Sequence, residues 1–327
     1  MMRGDASPEG EFLTLRVTDT RAEAVGIRSF ELRDPGGADL PPFEAGAHLQ
    51  VEVQLPDGRA GLRQYSLLGD PRDRGRYRIA VLLEAEGRGG SRFMHERVER
   101  GSILRAAGLE NGFPLMLTAD HSILIAGGIG ITPILSMVRA LAQAGRGFEL
   151  HYAARTPARM AFREEIEALA GGTAHFYHTH VEQPRPLDLE ALLATPGPGA
   201  HAYVCGPPGL IRAVTSLGAE AGWPRGRIHS ESFGPKRRAG DLPIEVCLER
   251  SALTLQVAPG ETILDAILDA GVWAPSECRR GECASCMTRV VAGEPDHRDI
   301  CLTPELQKTY MCPCVSRAHS SHLTLDL

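Results

Sequence analysis

The sequence predicts a multidomain chain: an antiparallel β-barrel, then an α/β domain on a parallel sheet, then a small α+β domain rich in cysteine. Three observations predict it. Short alternating runs broken by turn residues fill Phe12 to about Leu117. From His121 onward, continuous apolar strands alternate with helical patterns. Six of the eight cysteines lie after Ala270.

At 327 residues the chain is long enough for two or three domains, each with its own core. Its 43% hydrophobic and 23% charged content are those of a soluble globular protein. A net charge of −6 argues against a nucleic-acid partner, because no basic excess exists to displace counterions from phosphate. No membrane partner is expected either, since the longest apolar run, Ile123–Ile134, is interrupted by glycines. The polar stretch Met1–Glu11 lacks the apolar segment of a secretory signal, which points to a cytoplasmic protein.

Each element follows from local pattern. Phe12–Val17, His48–Leu55 and Tyr77–Leu83 read as strands, divided by turn signals such as Asp34-Pro35-Gly36-Gly37 and Pro56-Asp57-Gly58. A helical pattern, Ser91–Glu99, follows a glycine cluster. Ser122–Ala126 is a buried strand, Gly127-Gly128-Ile129-Gly130 a tight turn, and Pro133–Ala144 a helix. Strand Phe148–Ala153, a helix near Ala161–Ala170, and strands Ala174–Thr179 and His201–Val204 complete the alternation. The polar run from Gly234 to Asp241, bracketed by glycines, reads as a linker. Beyond it come a hairpin (Ile244–Leu248 with Leu253–Val257), an amphipathic helix (Thr262–Ala270) and a closing strand (Leu323–Leu327). The expected domains are therefore 1–117, 118–233 and 244–327, with a linker at 234–243.

Cys278, Cys283 and Cys286 have the spacing C-x4-C-x2-C, with more distant cysteines beyond. This is the plant-type pattern for a 2Fe-2S cluster. Gly281 lies where backbone must wrap closely round sulfide, so a Cβ would intrude. A structural zinc site also uses four cysteines but normally pairs two close C-x2-C units, which fits less well. Either Cys312 or Cys314 could close the cage, and Cys247 and Cys301 read as small buried hydrophobes.

Two further regions suit phosphate. Gly127, Gly128 and Thr132 belong to a strand–turn–helix whose backbone N–H groups could approach a pyrophosphate. Cys205-Gly206-Pro207 ends the last strand at the sheet's carboxyl edge, where ligands bind in such folds. Arg155, two residues past the second strand, is as readily a solvated loop residue as a ribose or phosphate contact. In the first domain, Arg63-Gln64-Tyr65-Ser66 offers a fixed cation, an aromatic edge and a small hydroxyl, and Gly89-Gly90-Ser91 opens a helix.

Together, R-x-Y-S, GGIGITP, CGP and the C-terminal cysteine motif resemble the phthalate dioxygenase reductase family, which includes vanillate O-demethylase reductases. The resemblance runs along essentially the whole chain. It implies an FMN-binding β-barrel, an NADH-binding α/β domain and a ferredoxin-like (β-grasp) domain, in that order. Arg63, Tyr65 and Ser66 would then contact the flavin, and Gly89, Gly90 and Ser91 the FMN phosphate. Gly127, Gly128, Thr132, Arg155, Cys205 and Gly206 would line the nucleotide site, with Phe233 beside the isoalloxazine. The end of the family's ferredoxin domain resembles Cys314-Val315-Ser316-Arg317, which makes Cys314 the fourth ligand.

The implied reaction has a fixed order. NADH (or NADPH, which Arg155-Thr156 would tolerate) gives two electrons at once, the cluster takes one, and the flavin stands between them. Ser66 would lie near flavin N5 and Cys205 near the nicotinamide. The implied acceptor is the oxygenase component, of Rieske type, of an aromatic-ring dioxygenase or O-demethylase. Alternatives are a reductase for a cytochrome P450 and a redox-sensing module without turnover.

Overall fold

The computed structural model describes residues 12–85, 87, 89–224, 226–233 and 241–327. It divides into two compact units. One runs to Gly206 and adds Val214–Ser230; the other takes Pro207–Ala213 and the chain from Glu231.

The first unit opens with β1 (Leu13–Ala24), β2 (Ile27–Arg33), β3 (His48–Gln54), β4 (Ala60–Ser66), β5 (Tyr77–Leu82), α1 (Gly90–Arg97) and β6 (Ile103–Glu110). The six strands form one antiparallel sheet, ordered β4-β3-β6-β1-β2-β5. Its two ends meet where Leu68 N donates to Arg78 O at 3.0 Å, curling the sheet into a barrel. Inward positions follow period two: Leu49, Val51 and Val53 on β3, and Tyr77, Ile79 and Val81 on β5, are all buried. Each such side chain contributes roughly 1.5–3 kcal/mol by leaving water. β1 continues seven residues past the expected Val17. Irregularities in its pairing with β2, at Val17/Asp19 and Ala22/Ala24, break the alternation that marks a strand in sequence.

The parallel-sheet region follows, with β7 (His121–Gly127), α2 (Ile131–Gln143), β8 (Phe148–Ala154), α3 (Arg163–Ala170), β9 (Ala174–His178), α4 (Leu189–Leu193), β10 (Ala200–Cys205), α5 (Pro208–Glu220) and β11 (Ile228–Glu231). Its sheet order is β11-β10-β7-β8-β9, and the pairs from β10 to β9 are parallel. β7 is central and buried from Ser122 to Gly127, as a strand covered on both faces must be. Ile131, Ile134, Leu135, Val138 and Leu141 of α2 supply one covering layer. Barrel and parallel sheet are joined by Arg78, which pairs with Glu23 at 2.9 Å and Glu165 at 2.6 Å and stacks over the Phe162 ring. Burial opposes the Arg78 charge, but the two carboxylates more than offset it and raise its pKa.

The second unit carries β12 (Ile244–Leu248), β13 (Leu253–Val257), α6 (Ile263–Asp269), β14 (Thr288–Ala292), β15 (Pro295–Asp296), α7 (Pro304–Gln307), β16 (Tyr310–Met311), β17 (Arg317–Ala318) and β18 (His322–Leu325). β12 pairs antiparallel with β13 and parallel with β18, in a sheet ordered β13-β12-β18-β14-β16. α6 packs on it, its first turn capped by Thr262 Oγ1, which accepts from Asp265 N at 3.0 Å. Of the expected linker 234–243, residues 234–240 lie outside the described residues.

Candidate functional site

In the barrel, the two stretches singled out in the sequence meet. Gly89 has φ +87 and precedes α1; a Cβ there would lie 2.4 Å from Pro56 Cδ. A Cβ on Gly90 would come within 2.8 Å of Arg63 Nε. The two glycines therefore let the start of α1 sit close to Pro56 and to the Arg63 side chain of β4, which brings a guanidinium to a helix N-terminus. Ser91 Oγ accepts from Glu84 N at 3.0 Å, which fixes this turn. Tyr65 packs against the barrel core, and burial raises its hydroxyl pKa while Arg63 pulls it back. Ser66 is 4% exposed, and its Oγ has no hydrogen-bond partner. A buried hydroxyl is normally satisfied, so this one fits a group supplied from outside the chain.

At the carboxyl edge of the parallel sheet, Gly127 ends β7 and Gly128–Gly130 form a single 3-10 turn before α2. Gly128 has φ +56 with open space where a Cβ would stand. Thr132 Oγ1 donates to Ile129 O at 3.0 Å, so its role here is to hold the turn. Gly130 carries a constraint the site reading passed over: a Cβ there would lie 2.2 Å from Cys205 O and 2.7 Å from Gly206 N. The GGIG turn and the Cys205-Gly206 segment thus pack backbone to backbone. Cys205 is fully buried. Arg155 is exposed past the end of β8, and Phe233 is exposed just after β11.

In the second unit the cysteine loop turns through three left-handed residues: Arg279 (φ 51), Gly281 (φ 74) and Ala284 (φ 58). Non-glycine residues in that region cost roughly 1–2 kcal/mol each, a strain that concentrates at functional loops. A Cβ on Gly281 would meet Val315 Cγ2 at 2.7 Å and Asp299 Cα at 3.0 Å. Glycine is needed there because the loop folds down on the C-terminal segment. The eight cysteines, all among the described residues, form no disulfide. Cys286 Sγ lies 3.3 Å from Cys314 Sγ, and Cys278 and Cys283 are in hydrogen-bond reach of each other. Hydrogen bonds with Cys312 and Cys314 lower the Cys286 thiol pKa, whereas burial raises that of Cys278. Cys314 also faces the Gly281 amide and Cys278, while Cys312 neighbours both Cys286 and, at 3.7 Å, Cys301.

One group beside this loop carried no role in the sequence reading. Glu231 is 2% exposed, with neither carboxyl oxygen hydrogen-bonded, and stands 3.6 Å from Arg280 Nη1. Arg280 also pairs with Glu282 at 3.4 Å, and Glu282 accepts from Ser232 N. Burial pushes the Glu231 carboxyl up to about 8, with Arg280 opposing.

A family model for an oxidoreductase NAD-binding domain matches residues 124–216, and one for a 2Fe-2S iron-sulfur cluster binding domain matches residues 247–319. The chain is 42% identical to the phthalate 4,5-dioxygenase oxygenase reductase subunit of Pseudomonas putida, over 97% of both chains. It is 40% identical to a vanillate O-demethylase oxidoreductase of Pseudomonas sp. (strain HR199 / DSM 7063), over 95% of this chain and 98% of that one. A solved phthalate dioxygenase reductase superposes with TM-score 0.75 at 40% identity, covering 97% of this chain and 98% of that chain. An intact type IV self-sufficient cytochrome P450 monooxygenase matches with TM-score 0.67 at 36% identity, over 43% of its own length. A barrel, an NAD-binding sheet and an iron–sulfur domain in one chain define a pyridine-nucleotide-linked iron–sulfur oxidoreductase. This chain belongs to the phthalate dioxygenase reductase family. No helix among the described residues is long and apolar enough to cross a membrane.

Proposed function

We propose that the protein passes electrons from NADH through FMN and a 2Fe-2S cluster, singly, to the oxygenase component of an aromatic-ring dioxygenase or O-demethylase system in the cytoplasm. On this reading FMN would bind to 1–117, the nucleotide to 118–233 and the cluster to 244–327, with a linker at 234–243. When bound, the flavin accepts an electron pair from the nicotinamide and releases it one electron at a time.

The observation that carries this reading is the pairing of sulfurs. Cys278 with Cys283, and Cys286 with Cys314, make two thiol pairs on one loop and its neighbour, one pair for each iron of a two-iron cluster. Such a cluster takes single electrons, so a chain that also binds NAD needs a two-to-one converter. The barrel supplies a place for one. Arg63 and the backbone at Gly89, Gly90 and Ser91 would hold the FMN phosphate, Tyr65 would flank the ring, and the Ser66 hydroxyl, which has no partner in the chain, would hydrogen-bond the flavin. Gly127, Gly128, Thr132, Cys205 and Gly206 would shape the nucleotide cleft, with Arg155 toward its adenosine end. None of these residues acts as nucleophile or general base.

An oxygenase component is the acceptor that the relatives support, one being a phthalate 4,5-dioxygenase oxygenase reductase subunit and another a vanillate O-demethylase oxidoreductase, and we take it to be of Rieske type. A haem acceptor is the second reading, favoured by the match to the self-sufficient P450 chain. The test is a visible spectrum of the purified protein, anaerobic NADH titration, then turnover with each type of acceptor. Flavin and iron–sulfur bands that bleach with NADH are expected. Flavin bands without iron–sulfur absorbance overturn the proposal, and absence of turnover with any acceptor favours a sensor instead.

A further inference from the structure

Two cysteines outside the cluster motif stand together beside it. Cys301 Sγ and Cys312 Sγ are 3.7 Å apart. Cys301, in the turn before α7, is partly exposed, whereas Cys312, just after β16, is fully buried. Cys312 also lies in hydrogen-bond reach of the Cys286 sulfur. The three sulfurs thus form a row from the surface to a cluster ligand. We propose that Cys301 and Cys312 are an oxidisable dithiol, closed to a disulfide by hydrogen peroxide, and that closure withdraws the Cys312 S–H from Cys286. The second half rests on the ligand assignment made under Proposed function.

The chemistry balances. The Cys301 sulfur, the one solvent can reach, attacks peroxide; an S–O bond forms, the O–O bond breaks, and water leaves with the thiol proton. The Cys312 sulfur then displaces the hydroxyl of that sulfenic acid, forming S–S and releasing a second water. Two thiols and one peroxide become one disulfide and two waters, with two electrons passing from sulfur to oxygen. A disulfide needs about 2.05 Å between sulfurs, so the pair must close by roughly 1.7 Å through side-chain rotation. Hydrogen bonds to ligand sulfur set the potential of such clusters, so removing one changes the cluster's readiness to accept an electron.

A soft metal ion is the competing occupant, since Asp299 offers a third ligand atom within 4.8 Å of both sulfurs. However, both Asp299 oxygens are already engaged, by Ser316 Oγ at 3.2 Å and Leu302 N at 3.0 Å. Three donors, one of them engaged, fall short of the tetrahedral set zinc takes. The geometry favours thiol chemistry.

The experiment uses the full chain with its cluster, confirmed by visible spectrum beforehand. A chain that shows no cluster at that stage overturns the reading under Proposed function instead. Graded peroxide under anaerobic conditions is followed by alkylation, non-reducing trypsin digestion and mass spectrometry. Expected are two thiols lost per chain, a link between the peptides 299–308 and 309–317 with fragmentation placing it at Cys312, and reversal by dithiothreitol. The electron paramagnetic resonance signal of the reduced cluster should shift on oxidation. Cys301→Ser should abolish both link and shift, and Cys312→Ala should show the shifted signal without peroxide. Three results overturn the proposal: cluster loss before any link forms, a link at Cys314, or a signal unchanged by Cys312→Ala. Stoichiometric zinc that protects both thiols from alkylation overturns it as well.

Discussion

Arg63 of β4 lies against the backbone of Gly90 at the start of α1, close enough that a Cβ on Gly90 would come 2.8 Å from Arg63 Nε and 2.9 Å from Arg63 Cγ. The contact ties a cation on one strand to the N–H groups of a helix terminus, the two features that hold a phosphate. Gly90→Ala should push the guanidinium aside while leaving the barrel core intact. Flavin retention should fall by about tenfold, the equivalent of roughly 1.4 kcal/mol of lost binding. Fluorescence titration of the deflavinated protein with FMN measures it, and an unchanged affinity would remove Arg63 from the phosphate site.

Ser66 predicts a different split. Its buried hydroxyl has no partner in the chain, so Ser66→Ala removes no internal hydrogen bond and should not lower the unfolding midpoint. The rate of flavin reduction by NADH should nevertheless drop roughly tenfold, the scale of one hydrogen bond lost near the reacting atom. Stopped-flow reduction with flavin content held equal checks this. A variant less stable but equally fast would mean the hydroxyl serves the fold alone.

Gly130→Ala tests the nucleotide turn. A Cβ 2.2 Å from Cys205 O cannot be accommodated without moving one backbone segment off the other. A destabilisation of about 1–3 kcal/mol is expected, as for other overpacked positions. NADH affinity should weaken alongside it, because the displaced segments frame the proposed cleft. Denaturant midpoints and equilibrium nucleotide titration separate the two effects.

The fourth ligand is decided by paired substitutions. Cys314→Ser should yield protein with flavin but without iron–sulfur absorbance, whereas Cys312→Ser should keep its cluster. Iron and sulfide analysis of the purified variants gives the answer directly, and the reverse pattern would exchange their roles.

How far the sequence could be read depended on how local each signal was. The hairpin Ile244–Leu248/Leu253–Val257 was legible because alternation and turn fall within fourteen residues, and the structure pairs those same residues. The GGIGITP turn was legible because glycine and proline punctuate it. β1 was cut short at Val17 because its bulges interrupt the period. β15, β16 and β17 are two residues each, too short to carry any period, and exist through long-range pairing alone. In the candidate sites, residue types were visible but their packing was not. The need for glycine at 281 was legible from the cysteine loop, whereas the further contacts a Cβ there would make with Val315 and Asp299 were not; Gly130 took its meaning only from Cys205, seventy-five residues away. The Glu231–Arg280 pair was invisible because an isolated Glu in a polar stretch looks solvated until its burial is known.

That pair carries the last prediction. Burial lifts the Glu231 carboxyl to about 8 against an ordinary value of 4.5, and burial also raises Glu282 beside it. The folded state therefore binds a proton that the unfolded chain has lost over that interval. Stability from this group is fully present below about pH 4.5 and declines as pH rises through 8. At 1.36 kcal/mol per unit the decline is at most about 5 kcal/mol, and relaxation around Arg280 will reduce it. Glu231→Gln keeps the neutral shape and cannot ionise. The variant should match the parent near pH 5 and become progressively more stable than it toward pH 8. Urea midpoints of both proteins across that range test the sign. A parent that gains on the variant as pH rises would show Glu231 ionised and held by Arg280.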